Sequence, residues 1–209
     1  KNPKLIVTVD NGISSIDGVT LARKNNINVI ITDHHLPALV LPPANVIVNP
    51  NQLGCNFISK NLAGVGVIFY VMLALRSELR ERRWFITRNI EEPNLAVFLD
   101  LVALGTIADV VSLDYNNRIL VEGGLRRIRQ GKASPGIASL INICCRDFKK
   151  IVSSDLGFAL GPRLNAAGRL DDMSLGIECL LSSDSSHAKS LSIQLDKLNR
   201  ERRNLQEEM

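Results

Sequence analysis

The sequence contains few aromatic residues and has no long apolar run. Aromatic side chains make up only 4% of its 209 residues, so no platform for stacking a flat ligand can be identified from it. Its two most apolar stretches, residues 65–75 and 95–104, are too short to cross a bilayer, and the second contains Asp100. We therefore expect no membrane segment. The opening Lys-Asn-Pro-Lys is also unlike a signal peptide.

Cysteine is scarce as well. The chain has four cysteines, and their positions do not follow the spacing of metal ligands: Cys55, Cys144, Cys145 and Cys179. The adjacent pair is poorly placed for a disulfide framework. We therefore expect reduced thiols, which fits the cytoplasm.

The composition is that of a globular protein. Hydrophobic residues account for 45% of the chain and charged residues for 22%, and a chain of this length can bury a sizeable core. The net charge of +4 and the pI of about 9.0 favour a polyanionic partner, although a solvated basic surface accounts for them equally well.

The first thirty-five residues have the pattern of a β-α-β unit. The β-branched run 5–9 predicts a buried strand, Asn11-Gly12 a tight turn, and residues 28–32 a second strand. Between them, Ser14 or Ser15 begins a helix that continues to about Asn25. The crossover makes the strands parallel. Asp10 and the run Asp33-His34-His35 then lie at the same carboxyl-terminal edge of the sheet, where α/β proteins bind ligands.

The rest of the chain predicts one more strand and several helices, giving an α/β fold with a parallel sheet flanked by helices and a helical subregion. Pro50 ends the third strand because it cannot donate to a ladder. The glycines at residues 161–168 interrupt both periodicities and predict an irregular loop. The expected segments are a strand at 44–49, helices at 62–82, 94–108, 118–130 and 134–145, a polar turn at 114–117, a loop at 161–169 and a connecting helix from 186 toward a further domain.

Asp10, His34 and Asp100 offer the mixture of carboxylate and imidazole donors that suits Mg²⁺ and Mn²⁺. Two such ions about 3.5–4 Å apart suit phosphodiester hydrolysis, because they activate water and stabilise the leaving oxygen together. Asp33 would then orient a histidine. Other interpretations stay open: Asp10 can shape the turn, and Asp100 can pair with an arginine.

Four segments together resemble the DHH phosphoesterases, and within them most closely the bacterial exonucleases specific for single strands. They occur in order over most of the chain: Val-Asp-Asn-Gly at 9–12, Asp-His-His at 33–35, Asp-Leu-Val-Ala-Leu-Gly-Thr-Ile-Ala-Asp at 100–109, and Gly-Pro-Arg-Leu-Asn-Ala-Ala-Gly-Arg at 161–169. The resemblance implies a 5′-to-3′ exonuclease that degrades single-stranded DNA with Mn²⁺ or Mg²⁺ in recombination and repair.

The resemblance also implies roles for individual residues. Asp10 would bridge the metals, His34 and Asp100 would be ligands, and His35 would lie near the scissile phosphate. Asp109 would support the site. A group in the last segment would contact substrate phosphate, with stabilisation of the loop as the alternative: Arg163, Asn165 and Arg169.

One departure from the family pattern bears on activity. The family's first motif has two aspartates separated by one residue, and this sequence contains no Asp-x-Asp. We expect that motif upstream of Lys1 and a second lobe beyond Met209, so that residues 1–185 form a partial catalytic domain and residues 186–209 a connecting helix. The chain alone is then expected to be inactive.

Two other functions remain open at this stage. One is a DHH phosphoesterase that acts on short oligonucleotides or small nucleotides. The other is a metal-free scaffold that binds DNA. The clustered Asp10, His34 and Asp100 count against a scaffold, because it has no physical need for hard-metal ligands.

Overall fold

In the computed structural model, the chain forms two compact units. Unit 1 comprises Lys1–Leu95 and Val111–Arg118, and unit 2 comprises Ala96–Val110 and Ile119–Met209. The structure describes residues 3–170 and 172–207, with the side chains of residues 3–168 and 172–205. The fold is mixed α/β with a parallel sheet, as the sequence predicts.

Unit 1 is built on a three-stranded parallel sheet in the order β1-β2-β3. The strands are β1 (Leu5–Val9), β2 (Asn28–Thr32) and β3 (Val46–Val48). Val9 pairs with Thr32, which in turn pairs with Val48. Since parallel strands end at one edge, the segments that follow Val9, Thr32 and Val48 all begin at this edge.

The crossover helix packs on the sheet through a small apolar core. α1 (Ile16–Lys24) buries Val19 against Val29 and Ile31 of the central strand. Ser15 is the N-cap residue. Both strands and the helix of the expected β-α-β unit therefore lie where the sequence places them.

The remainder of unit 1 consists of loops and helices. Its helices are α2 (Gly64–Glu81) and α3 (Trp84–Arg88). The segment 111–118 is joined to the loop before α2 by buried hydrogen bonds: Asn117 Nδ2 donates to the carbonyl of Asn61 at 2.7 Å, and Ser59 Oγ donates to Asp114 Oδ2 at 2.6 Å. These bonds hold the loop that contains Ser59 and Asn61, just before α2, against residues 114–117.

Unit 2 consists of helices. In it, the helix Ser185–Glu207 packs against three others and buries Ala188, Leu191 and Leu195; the three are Pro135–Ile143, Gly161–Leu170 and Ser174–Leu181. The separation of 186–209 as a connecting helix stays a prediction. No helix in the described part of the chain is both long and apolar enough to cross a membrane. The helices after residue 95 are a 3₁₀ turn (Leu95–Phe98), α4 (Leu99–Ala108), α5 (Tyr115–Arg129), α6 (Pro135–Ile143), a 3₁₀ turn (Phe148–Lys150), α7 (Ser153–Asp155), a π-helix (Leu156–Leu160), α8 (Gly161–Leu170), α9 (Ser174–Leu181) and α10 (Ser185–Glu207).

The expected loop at residues 161–169 is wrong. This segment is α8, which continues directly from the π-helix. Pro162 lies in the first turn, where a missing N–H costs little. Leu164, Ala166 and Ala167 are buried, so tertiary packing of one helical face outweighs the weak helix propensity of the glycines.

Two helix starts also differ from the expected positions. The helix expected from residue 94 opens as a 3₁₀ turn and becomes α-helical at Leu99. The helix expected from residue 118 begins at Tyr115, because Asp114 Oδ1 accepts the backbone N–H of Asn117 at 3.0 Å and satisfies a donor of the first turn. The polar turn is therefore the start of α5.

Candidate metal centre

Asp10 follows β1 at the edge where all three strands end. Its backbone is left-handed, with φ of 64°, a conformation that aspartate tolerates better than most residues. The turn itself is held by neighbours: Thr8 Oγ1 donates to the carbonyl of Asn11 at 2.7 Å, and Asn11 Nδ2 donates to that of Val9 at 3.3 Å. Asp10 Oδ1 instead lies 3.1 Å from His34 Nε2.

Asp33 organises the segment after β2 from a buried position, where it is 1% exposed. Its Oδ2 accepts the N–H of Ile13 at 2.9 Å. Its Oδ1 accepts the N–H groups of His34 at 2.8 Å and His35 at 3.2 Å, and it lies 2.7 Å from His35 Nδ1. One carboxylate thereby holds the turn after β1 and both histidines.

These contacts also set the charge of Asp33. Burial by itself would raise the pKa of Asp33, but hydrogen bonds from the Ile13 N–H and from His35 outweigh it, and the pKa lies below its usual range. The carboxyl is therefore ionised and accepts the proton on His35 Nδ1. That contact leaves Nε2 as the ring nitrogen directed away from Asp33.

Asp10, His34 and His35 form a cluster of metal-binding type. Each offers one ligand atom, and these atoms lie within 4.8 Å of one another. The two imidazole centroids are 4.5 Å apart with an interplanar angle of 55°. One carboxylate with two imidazoles suits Mn²⁺ and other first-row divalent ions, and the carboxylate also accepts Mg²⁺.

Gly64, at the start of α2, lies directly against Asp10. A Cβ built on Gly64 would come within 2.5 Å of Asp10 Cβ and would overlap the carboxylate. The sequence predicts that the glycines near 64 permit close helix packing, and at this position the close neighbour is the side chain of Asp10. The start of α2 thus leaves a space that the carboxylate of Asp10 fills. With the two imidazoles beside it, this carboxylate fits a divalent metal ion.

Asp100 belongs to unit 2 and lies in the first turn of α4. It is fully buried. Its Oδ2 accepts the N–H of Ser134 at 2.6 Å, and its Oδ1 accepts that of Leu101 at 2.9 Å. Ser134 is the N-cap residue of α6, so the carboxylate ties two helices together. Each oxygen retains a further lone pair, and the ligand role of Asp100 stays a prediction.

The expected phosphate-contacting group lies on α8. Arg163 donates through Nε to Asp196 Oδ1 at 2.8 Å and through Nη1 to the carbonyl of Ala159 at 2.7 Å, which favours the stabilising interpretation for this arginine. Asn165 is exposed. The side chain of Arg169 lies outside the described residues. Asp109, the expected supporting residue, is exposed at the end of α4.

Sequence reasoning missed two residues at the same sheet edge. Asn49 and Asn51 follow β3, and their side chains donate to the carbonyls of His35 and His34. The signal is present in the sequence, because polar Asn49 and Asn51 stand at the end of the third predicted strand just as Asp10 follows the first.

Comparison with known families places these features in context. A profile described as "DHH family, N-terminal domain" matches residues 1–106. The single-stranded-DNA-specific exonuclease RecJ of Dickeya dadantii is 60% identical over 206 residues, which cover 99% of this chain and 36% of that protein. The chain therefore spans little more than a third of the length of this relative.

Solved structures of RecJ are similar to the chain throughout. A crystal structure of exonuclease RecJ bound to manganese superposes with a TM-score of 0.83 and 33% identity, over 99% of this chain and 49% of that one. RecJ of Thermus thermophilus in complex with Mg²⁺ gives a TM-score of 0.69 and 32% identity, over 99% and 27%. Both kinds of metal predicted from the donors are thus bound by structural neighbours.

Proposed function

This chain belongs to the DHH family, and we propose that it forms part of the metal centre of a 5′-to-3′ exonuclease that degrades single-stranded DNA. The observation that carries the proposal is the cluster of Asp10, His34 and His35, with Gly64 leaving room for the carboxylate. The names of the relatives support the substrate, because RecJ proteins are described as specific for single-stranded DNA. Recombination and repair are the expected processes, in the cytoplasm.

Within this centre, Asp10 and His34 would hold a divalent cation through the carboxylate and Nε2. Asp100 is proposed as a metal ligand by resemblance to the family. When bound, Mn²⁺ or Mg²⁺ supplies activation of a water and neutralisation of phosphate charge. Residues 1–209 contain no Asp-x-Asp pair, so we propose that full activity requires ligands from outside this chain.

His35 is proposed to meet the scissile phosphate. Its side chain is 60% exposed, and Asp33 holds Nδ1 from the protein side. The ring therefore presents Nε2 outward in a fixed orientation, which is what positioning of a reacting phosphate requires. Asn165 and Arg169 are proposed to contact the DNA backbone, while Arg163 secures the helix that carries them.

The direct test is digestion of labelled DNA. The protein is extended at both ends to the length of its relatives, and single strands, duplexes and very short oligonucleotides are compared with Mn²⁺ present. We expect loss of long single strands from the 5′ end. Asp10→Asn abolishes it, whereas Asp17→Asn, which removes an exposed carboxylate on α1, leaves it unchanged.

Other outcomes would contradict the exonuclease proposal and support a different function. Activity confined to very short oligonucleotides would identify a small-substrate phosphoesterase instead. DNA binding without Mn²⁺ uptake would identify a scaffold. Because phosphate contacts release counterions, binding of single strands should weaken steeply as salt rises, and an affinity insensitive to salt would contradict the exonuclease.

A further inference from the structure

We propose that Asn49 and Asn51 are positioning residues for His34 and His35, the two histidines of the proposed metal centre. Asn49 Nδ2 donates to the carbonyl of His35 at 2.8 Å, and Asn51 Nδ2 donates to the carbonyl of His34 at 2.6 Å. The two amides therefore hold the two consecutive peptide groups that carry the imidazoles. This inference deepens the proposed function and rests on it, because it takes Asp10, His34 and His35 as the metal centre.

The histidine segment depends on side chains because it has left the sheet. β2 ends at Thr32, and no regular element follows until β3 begins at Val46. His34 and His35 lie beyond Thr32, the last residue of β2 that is paired in the ladder. Asp33 Oδ1 accepts their two N–H groups, and the asparagines donate to their two carbonyls. Side chains thus hold both histidines at each backbone polar group.

The asparagines are themselves fixed. Asn49 is 2% exposed, and its Oδ1 accepts the N–H of Asn51 at 2.8 Å. Pro50 restricts the backbone between them. Lys60 Nζ donates to the carbonyls of Pro50 at 2.7 Å and Cys55 at 2.6 Å. The carbonyls of His34 and His35 therefore accept hydrogen bonds from two asparagine side chains that β3 and the loop after it hold in place.

Asparagine is the residue type that this arrangement needs. Asn49 uses its NH₂ group toward one peptide and its carbonyl oxygen toward another, whereas an ionised aspartate has no donor for a carbonyl. Loss of an amide would leave a histidine carbonyl without this bond and would let the peptide rotate, which moves the imidazole attached to it. Residues that orient metal ligands in this way commonly change metal affinity by about tenfold to a hundredfold when they are replaced.

The test compares variants at opposite ends of β3 in the extended protein. Asn51→Ala removes the donor to His34, and Asn51→Leu does so while it keeps the branching and the number of side-chain heavy atoms. Asn45→Ala is the matched control: its Oδ1 accepts the Val29 N–H at 2.8 Å, which supports the strands without contact to either histidine. Mn²⁺ affinity is measured by titration calorimetry, and imidazole NMR signals of isotope-labelled histidine are recorded without metal.

We expect both Asn51 variants to weaken Mn²⁺ binding about tenfold or more and to shift the His34 imidazole signals in the metal-free protein. Asn45→Ala should lower stability while it leaves affinity and signals unchanged. Wild-type affinity and unshifted signals in Asn51→Leu would overturn the proposal, and so would equal effects of Asn45→Ala.

Failure of the proposed function gives a different pattern. If the protein binds Mn²⁺ but leaves single-stranded DNA intact, the exonuclease proposal fails and the positioning role stands on the affinities. If the wild type binds no Mn²⁺, the metal centre fails, and the metal-free imidazole signals alone decide whether Asn51 positions His34.

Discussion

Asp10 occupies the space that a side chain at Gly64 would need, so the start of α2 and the side chain of Asp10 cannot both keep their positions if residue 64 gains a Cβ. The overlap involves Cβ as well as the carboxylate of Asp10. Rotation of the carboxylate alone therefore cannot relieve it, and either the turn after β1 or the beginning of α2 must move.

Gly64→Ala should accordingly weaken Mn²⁺ binding, by about tenfold or more, and lower the free energy of unfolding by about 1–3 kcal/mol because the site is overpacked. Gly18→Ala is the control, since a Cβ at this position in α1 has open space around it. It should stabilise the helix by up to about 1 kcal/mol. Wild-type metal affinity in Gly64→Ala would show that Asp10 is not held by this contact.

Asp100→Ala should destabilise unit 2 because the part-buried N–H of Ser134 loses its acceptor. The expected cost is about 1–3 kcal/mol, measured by chemical unfolding. Asp147→Ala is a matched control: its Oδ1 also accepts a backbone N–H, that of Lys149 at 2.9 Å, but in an exposed position, and about 1 kcal/mol or less is expected. If Asp100→Ala reduces Mn²⁺ affinity without loss of stability, the helix-linking role is wrong and ligation alone explains the residue.

Removing one partner of the ion pair between α8 and α10 should strongly destabilise unit 2. Arg163 Nη2 lies 2.8 Å from Asp196 Oδ1, with side chains only 14% and 7% exposed. Asp196→Ala leaves the guanidinium without its carboxylate in a mostly buried place, so the unfolding free energy should fall by about 3–5 kcal/mol.

Glu201→Ala provides the comparison on the same helix, because its pair with Lys197, at 3.8 Å, is exposed and should contribute less than about 1 kcal/mol. If Asp196→Ala changes the unfolding free energy little and Arg163→Ala weakens DNA binding, Arg163 contacts substrate phosphate and does not mainly stabilise the helix.

Asp114 should make unit 1 sensitive to acid. Burial by itself would raise the pKa of Asp114, but hydrogen bonds from Ser59 Oγ and from the N–H of Asn117 outweigh it and hold the pKa below its usual range. Since the folded pKa lies below the unfolded value of about 3.9, ionised Asp114 stabilises the fold at neutral pH. This contribution is lost as the pH falls through the folded pKa.

Asp114→Asn should therefore be less stable than the wild type at neutral pH and should show a shallower loss of stability below about pH 4. Asp17→Asn removes one exposed carboxylate of α1 and controls for the change in net charge. Parallel acid profiles for Asp114→Asn and the wild type, followed by circular dichroism, would contradict the role assigned to these hydrogen bonds.

Much of unit 1 could be predicted because its signals are local. Alternating strand, turn and helix patterns place Asp10 and Asp33-His34-His35 at one edge, since parallel strands share the direction of their ends. The prediction failed at 161–169, where burial of Leu164 and Ala167 outweighs the preference of glycine for loops. It also missed Asn49 and Asn51, whose role depends on carbonyls that lie fourteen and seventeen residues earlier.

By itself, the sequence determined the β-α-β unit, the donor types at the sheet edge and the membership in a family, because these depend on periodicity and on the order of motifs. Only the tertiary structure decided which groups support the donors: Gly64 makes room for Asp10, Asp33 and the asparagines hold the histidines, and Asp196 engages Arg163. The physical reason is that these contacts join residues distant in the chain. The free energy that each contact contributes depends on burial and hydrogen-bond geometry, which exist only once the elements have packed.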